Sequence, residues 1–216
     1  MGTQAEGRRS ACRERRAVGA RDTVTAARII GAAFDEDPTW SFVFSDPARR
    51  LDQYQRFWEL LVDGAQRCDW VWLCDADHAV TVWLPPGCNE LSDEQEAGFA
   101  EFARSLLGLA APRLLETVER FATARPSDPH YYLSLFATDP QHAGHGYGMA
   151  LLAQNLLRID EVGAAAYLES TNPLNLNRYR GVGFEVTGSF DLPDSGPSVT
   201  TMWREPRRAV APSTRS

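Results

Sequence analysis

Apolar residues recur at two spacings along this chain, and the switches between them mark the elements. From Asp22, read as an N-cap, a helical stripe of Val24, Ala27 and Ile30 runs until Asp35-Glu36-Asp37 and Pro38 end it, leaving the acidic triplet exposed. Asp46-Pro47 spells a cap followed by proline at the first helical position, and Leu51, Tyr54, Trp58, Leu61 and Ala65 follow at helical spacing. Residues 70–74 and 79–84 predict a hairpin across Asp75-Ala76-Asp77, closed by Pro85-Pro86-Gly87. Ser92 with Gln95 spells a capping box, and two helices divided at Pro112 fill the chain to about Arg125 as an insertion.

The second half predicts a strand over 131–138, a glycine-rich turn, a helix over about 146–162 and a strand over 166–169. Asn172-Pro173 then caps a short helix ending near Gly181, and strands follow over 184–190 and 199–203. A short strand is also expected near 16–19. Residues 1–14 and 207–216 lack an apolar period and read as disordered tails around one domain over 15–206. The order is mixed α/β.

At 216 residues and 44% hydrophobic, the chain can bury one sizeable core. The net charge of −7 argues against a nucleic-acid surface and accommodates a cationic partner. All 22 basic residues are arginine, which excludes Schiff-base and P-loop lysine chemistry. Cys12, Cys68, Cys74 and Cys88 contain no C-x-x-C pair and suit neither a zinc site nor a disulfide framework, so reduced cysteines, no metal and a cytoplasmic location are expected. No apolar run reaches the ~20 residues of a membrane span. The expected partner is a small-molecule amine, without nucleic acid or membrane, and a homodimer is left open.

The turn Thr138-Asp139-Pro140-Gln141-His142-Ala143-Gly144-His145-Gly146-Tyr147-Gly148 joins a strand to a helix. Main-chain N–H groups converging at a helix N-terminus form an anion site, and glycines let the backbone approach a pyrophosphate. A dinucleotide fingerprint starting at Gly144 would need glycine where Met149 stands, and a Walker loop would need lysine. No G-x-S-x-G elbow is present either.

From Tyr132 to Trp203 the chain resembles the GCN5-related N-acetyltransferase (GNAT) family, and within it the puromycin N-acetyltransferase-like branch. The residues that carry the resemblance are Ala137-Thr138-Asp139-Pro140-Gln141-His142 leading into Gly144-His145-Gly146-Tyr147-Gly148, then Tyr167-Leu168-Glu169-Ser170, Asn175, Tyr179 and Gly183-Phe184-Glu185-Val186-Thr187. Upstream, Ala33-Phe34, Asp37-Pro38-Thr39-Trp40 and Trp83-Leu84-Pro85-Pro86-Gly87 also resemble that branch. The resemblance implies an acyl-CoA N-acyltransferase fold, a central mostly antiparallel mixed sheet flanked by helices, with acetyl-CoA as co-substrate.

It further implies that backbone groups of Phe136, Ala137 and Thr138 pair with the pantetheine arm, while amides from Ala143 to Met149, through Gly144, His145, Gly146 and Gly148, cradle the pyrophosphate. Ala143 departs from the arginine or glutamine usual at its position. His145 reads either as a phosphate contact in compensation or as an exposed loop histidine. Asn175 would face the cofactor arm, one helical turn before Tyr179. An acyl-CoA-binding sensor without efficient turnover is the alternative to an enzyme.

Freeing the lone pair of an alkyl ammonium with a pKa near ~10.4 costs roughly 4–5 kcal/mol at pH 7, against about 1 kcal/mol for an α-amine near ~8. The amine would attack the thioester directly. Tyr179 holds the family's tyrosine position and would protonate the departing thiolate. Glu169, at a strand end, reads either as acceptor of the amine proton, directly or through water, or as a structural hydrogen-bonding residue. Asp35 and Asp37 would attract the cationic substrate, with Trp40 as an apolar or cation–π wall.

Overall fold

The computed structural model describes residues 12–74 and 76–207. Seven strands, β1 (Glu14–Arg16), β2 (Val71–Cys74), β3 (Ala79–Leu84), β4 (His130–Thr138), β5 (Ala165–Ser170), β6 (Glu185–Asp191) and β7 (Ser198–Arg204), form one sheet in the order β1-β2-β3-β4-β5-β7-β6. Every neighbouring pair is antiparallel except β4 and β5. The helices are α1 (Ala20–Phe34), α2 (Pro38–Val43), α3 (Arg50–Gln66), α4 (Asp93–Leu107), α5 (Ala111–Ala124), α6 (Tyr147–Glu161) and α7 (Leu176–Gly181). The expected mixed α/β architecture is present, with α4 and α5 as the inserted pair. A parallel pair needs a crossover, and α6 supplies it between β4 and β5.

Helices cover both faces of the sheet. On one, Ile29 and Ile30 of α1 and Tyr54, Phe57 and Trp58 of α3 are fully buried in the cluster that holds Val80, Val82 and Tyr132. On the other, Leu152, Leu156 and Ile159 of α6 pack with Trp83, Leu133 and Leu168. Full burial of each such side chain contributes about 1.5–3 kcal/mol, so these stripes fix how the helices dock. Two buried polar side chains tie the elements together: Asn155 of α6 accepts from Thr81 and Trp83 and donates to Glu14, joining three elements. Arg204 of β7 donates twice to Asp160 of α6, at 2.8 and 2.7 Å.

One irregularity in β4 shapes everything that follows. Val82 pairs with Leu135 but the next residue, Trp83, pairs with Leu133, so Ser134 is an extra residue on β4. Because side chains alternate with period two, one inserted residue shifts the phase of those after it. Tyr132, Leu135 and Ala137 therefore join the α1–α3 cluster, while Leu133 and Phe136 face the α6 side.

The structure corrects several expectations from sequence. β1 lies two residues earlier than expected. Gly19, not Asp22, is the N-cap of α1, and Asp22 instead accepts from Arg15 and from the Val18 amide. Asp46 accepts from the Ala48 amide in a turn ahead of α3, which begins only at Arg50. Val24 and Leu51 are exposed, at 51% and 59%, because the buried faces of their helices run one position away. α2 follows where the pattern predicts only a break, and Asp37 is buried as its N-cap, accepting from the Thr39 and Trp40 amides. Cys68 and Cys88 form a disulfide, with Cα atoms 6.3 Å apart, because the end of α3 and the loop after β3 meet in space. Cys12 and Cys74 are buried. The tails expected over 1–14 and 207–216 lie outside the described residues for 1–11 and 208–216, whereas Glu14 opens β1.

Candidate active site

β3 and β4 stay paired as far as Ala79 opposite Thr138, but the pairing of β4 with β5 stops at Leu133 opposite Leu168. Beyond that point the parallel strands part. Residues 134–138 on one side and Glu169 and Ser170 on the other line a cleft of about 1350 Å³. The β5-facing edge of β4 is left without a strand partner there. An elongated ligand bearing amides can complete such an edge as an added strand.

The glycine-rich turn closes one end of the cleft. Asp139 fixes the turn, accepting from the Gln141 amide and, at 3.0 Å, from Arg28 of α1. Gly144 and Gly146 have φ of 80° and 82°, left-handed values that a residue with a β-carbon adopts only under strain. Gly146 caps α6 without any side-chain hydrogen bond, leaving the first-turn N–H groups for a ligand. At Gly148, α6 lies so close to β4 that a β-carbon would collide with Thr138 Oγ1 and come within 3.1 Å of the Phe136 ring. These features fit an anionic group at the α6 N-terminus and an amide-bearing arm along β4, the two ends of acetyl-CoA.

Most sequence-predicted residues meet in this cleft. The residues expected to hold the cofactor, Phe136, Ala137, Thr138, Ala143, Gly144, Gly146, Gly148, Met149 and Asn175, line it, and so do Tyr179, Glu169, Asp35, Asp37 and Trp40. His145 does not. Its Nδ1 lies 3.2 and 3.1 Å from the carbonyls of His142 and Ala143, to which only a protonated nitrogen can donate. Asp37 is also committed elsewhere: besides capping α2 it accepts at 2.7 Å from Thr171, just after β5. Arg178 donates to Asn175 and holds its side chain in place.

Glu169 stands at the end of β5. Burial pushes its carboxyl up to about 7, opposed by the Arg125 guanidinium and the Tyr132 and Tyr167 hydroxyls, with Glu90 adding to the rise. Its Oε1 is buried with no hydrogen-bond partner. Tyr179 is buried on α7, its ring 6.2 Å from that of Phe136. Burial raises its hydroxyl well above the ordinary phenol value, so it keeps its proton.

The sequence reading missed a second polar group. Ser134, the extra residue of β4, donates to Glu90, and Arg125, just past α5, lies 3.9 Å from Glu90 and 3.9 Å above the Tyr132 ring. Glu90 is held there from behind. Arg67 at the end of α3 donates to the carbonyls of Asn89 and Leu91, the Cys68–Cys88 disulfide anchors the same loop, and Gly64 leaves room for the Glu90 carbonyl. No motif marks these residues, because they come together from four separate segments, the end of α3, the loop after β3, the end of α5 and β4.

No protein-family profile matches the chain. Among solved structures it is similar to a Corynebacterium glutamicum protein named histone acetyltransferase HPA2 and related acetyltransferase, at 23% identity over 92% of this chain and 98% of that one, with a TM-score of 0.69. It is similar to a Drosophila melanogaster polyamine N-acetyltransferase at 17% identity, over 90% and 100% of the two chains, with a TM-score of 0.61. A mosquito arylalkylamine N-acetyltransferase-like protein is 16% identical over 90% and 100%, with a TM-score of 0.56. At these identities the likeness is one of fold, and the fold of this chain is that of the GNAT acetyltransferases.

Proposed function

We propose that the protein is an N-acetyltransferase that transfers the acetyl group of acetyl-CoA to the primary amine of a small molecule, by direct attack within a ternary complex. The observation that carries this reading is Glu169, a buried carboxyl pushed up to about 7, with one oxygen unpartnered, where β4 and β5 part. A base near neutrality is what deprotonating an ammonium requires. Moving a proton to it from an alkyl ammonium near ~10.4 costs roughly 4–5 kcal/mol, and from an α-amine near ~8 about 1.4 kcal/mol. An amino-acyl or antibiotic-like amine, as in the puromycin N-acetyltransferase-like branch, therefore suits this carboxyl.

In this reading Glu169 takes the amine proton as the C–N bond forms. Main-chain N–H groups of residues 136–138 stabilise the oxyanion. Tyr179 donates to the sulfur as the C–S bond breaks. Its raised pKa makes full proton transfer to a thiol near ~8.5 uphill, so a hydrogen bond to the departing sulfur comes first. The Ala143–Met149 turn holds the pyrophosphate and Asn175 faces the cofactor arm. The same three neighbours carry acetyltransferase names, two of them for amines.

A second reading, acyl-CoA binding without efficient turnover, is favoured by Ala143, which offers no side chain to a phosphate. A thiol-release assay with acetyl-CoA and a panel of primary amines, beside calorimetric titration of acetyl-CoA, separates the two. Amine-dependent release is the expected result. Tight binding without release would favour the second reading, and no binding would defeat both.

A further inference from the structure

Resting on the acetyltransferase reading of this cleft, we infer that the acceptor carries its amine on an aromatic or similarly flat, uncharged body, which lies against a wall built by the inserted helices. α4 and α5 supply Phe99, Val118 and Phe121 to the cleft, and Trp40 of α2 and Phe57 of α3 line it beside them. Phe121 is only half-buried. It stacks on Trp40 with centroids 6.0 Å apart and planes 19° from parallel, and the Phe190 ring meets it edge-on at 5.2 Å. A row of rings held in this way offers a flat apolar face to a ligand.

Glu90 and Arg125 offset one another, and Ser134 donates to Glu90. Asp35 lies 3.4 Å from Arg50, and Asp37 is used by α2 and Thr171. Glu169 is left as the carboxyl available to one ammonium. Glu36 and Glu96 also line the cleft but are exposed, where solvent and salt screen them. A second ammonium carried past them would find no carboxylate, and the attraction that a ring face offers a cation falls short of the desolvation cost of an unpaired charge.

Acceptors with one reacting group and different bodies test this: phenylalaninamide, leucinamide, alaninamide and lysinamide, with spermidine and agmatine as polycations. Thiol release gives kcat/KM for each, and calorimetry on the CoA-loaded protein gives affinity without turnover. The expected order is phenylalaninamide at least tenfold above alaninamide, leucinamide between them, and lysinamide, spermidine and agmatine lowest. Phe121→Ala should raise the KM for phenylalaninamide tenfold or more, leave that for alaninamide unchanged, and spare acetyl-CoA affinity; Phe121→Leu should fall between. Polycations equal to or better than phenylalaninamide, or an equal effect of Phe121→Ala on every acceptor, would overturn the inference. If no amine releases thiol, the acetyltransferase reading fails by itself. Calorimetry then still decides the inference: tighter phenylalaninamide binding upholds it, and equal or absent binding ends it.

Discussion

Gly148 at the start of α6 lies against Thr138 at the end of β4 so closely that a β-carbon at position 148 would fall on the threonine hydroxyl. This contact joins the N-terminus of α6 to the open strand edge of β4. Thr138 could rotate away, but the Phe136 ring, 3.1 Å from the same point, has less room to move. Gly148→Ala should cost about 1–3 kcal/mol of stability by overpacking. Acetyl-CoA affinity should fall with it, because α6 and β4 are forced apart. Thermal unfolding and calorimetry read the two effects, and adding Thr138→Ala should recover part of both. Unchanged affinity in Gly148→Ala would show that the close approach does not position the cofactor.

Glu169 gives a prediction in pH. Its carboxyl is raised from 4.5 to about 7 by burial, so the folded chain holds the proton more tightly than the unfolded one. Below pH 4.5 both forms are protonated and nothing is lost; across the window from 4.5 to about 7 the wild type loses stability, by up to about 3 kcal/mol once both forms have ionised. Glu169→Gln should therefore match the wild type at pH 4.5 and be more stable at pH 8, as followed by urea unfolding. Wild-type kcat/KM should rise with pH through about 7, and the glutamine variant should lose that limb together with most of its activity.

Tyr179→Phe removes the proposed donor to the leaving sulfur but keeps the ring that packs near Phe136 and Phe184. Loss of an acid–base group typically costs ~10²–10⁴-fold in rate. We expect kcat to fall in that range with acetyl-CoA affinity retained, measured by thiol release and calorimetry. Undiminished kcat would remove Tyr179 from the mechanism.

The Cys68–Cys88 disulfide spans a sequence separation of 20. Closing a loop of about this length stabilises by roughly 3 kcal/mol in the chain-entropy picture. Dithiothreitol, or the paired Cys68→Ser and Cys88→Ser changes, should lower the denaturation midpoint accordingly. Arg67 still holds the carbonyls of Asn89 and Leu91 after the bond is broken, so the Glu90 loop should keep its place and the acceptor KM should change little.

Local pattern determined much of this protein. The alternation of 79–84, the capping box of Ser92 and Gln95, the break at Pro112 and the glycines at 144, 146 and 148 each act over a few residues, and the elements they predict are present. The glycine-rich end of the cleft was legible for the same reason, because one strand–turn–helix segment builds most of it. His145 shows the limit of such reading, since only its contacts reveal that it serves the turn.

Tertiary structure alone decided the rest. That Ser134 is an extra residue emerges only from the pairing of β4 with β3, and that β4 and β5 part after Leu133 emerges only from the sheet. Glu90, Arg125 and Tyr132 come from a loop, the end of a helix and a strand, and each is unremarkable in its own segment. Burial, which pushes Glu169 up to about 7 and ties Asp37 to its cap and to Thr171, depends on how distant segments exclude water together. Hydrogen bonding along a turn is local and is written in neighbouring residues; desolvation belongs to the whole packed assembly, so no stretch of sequence encodes it by itself.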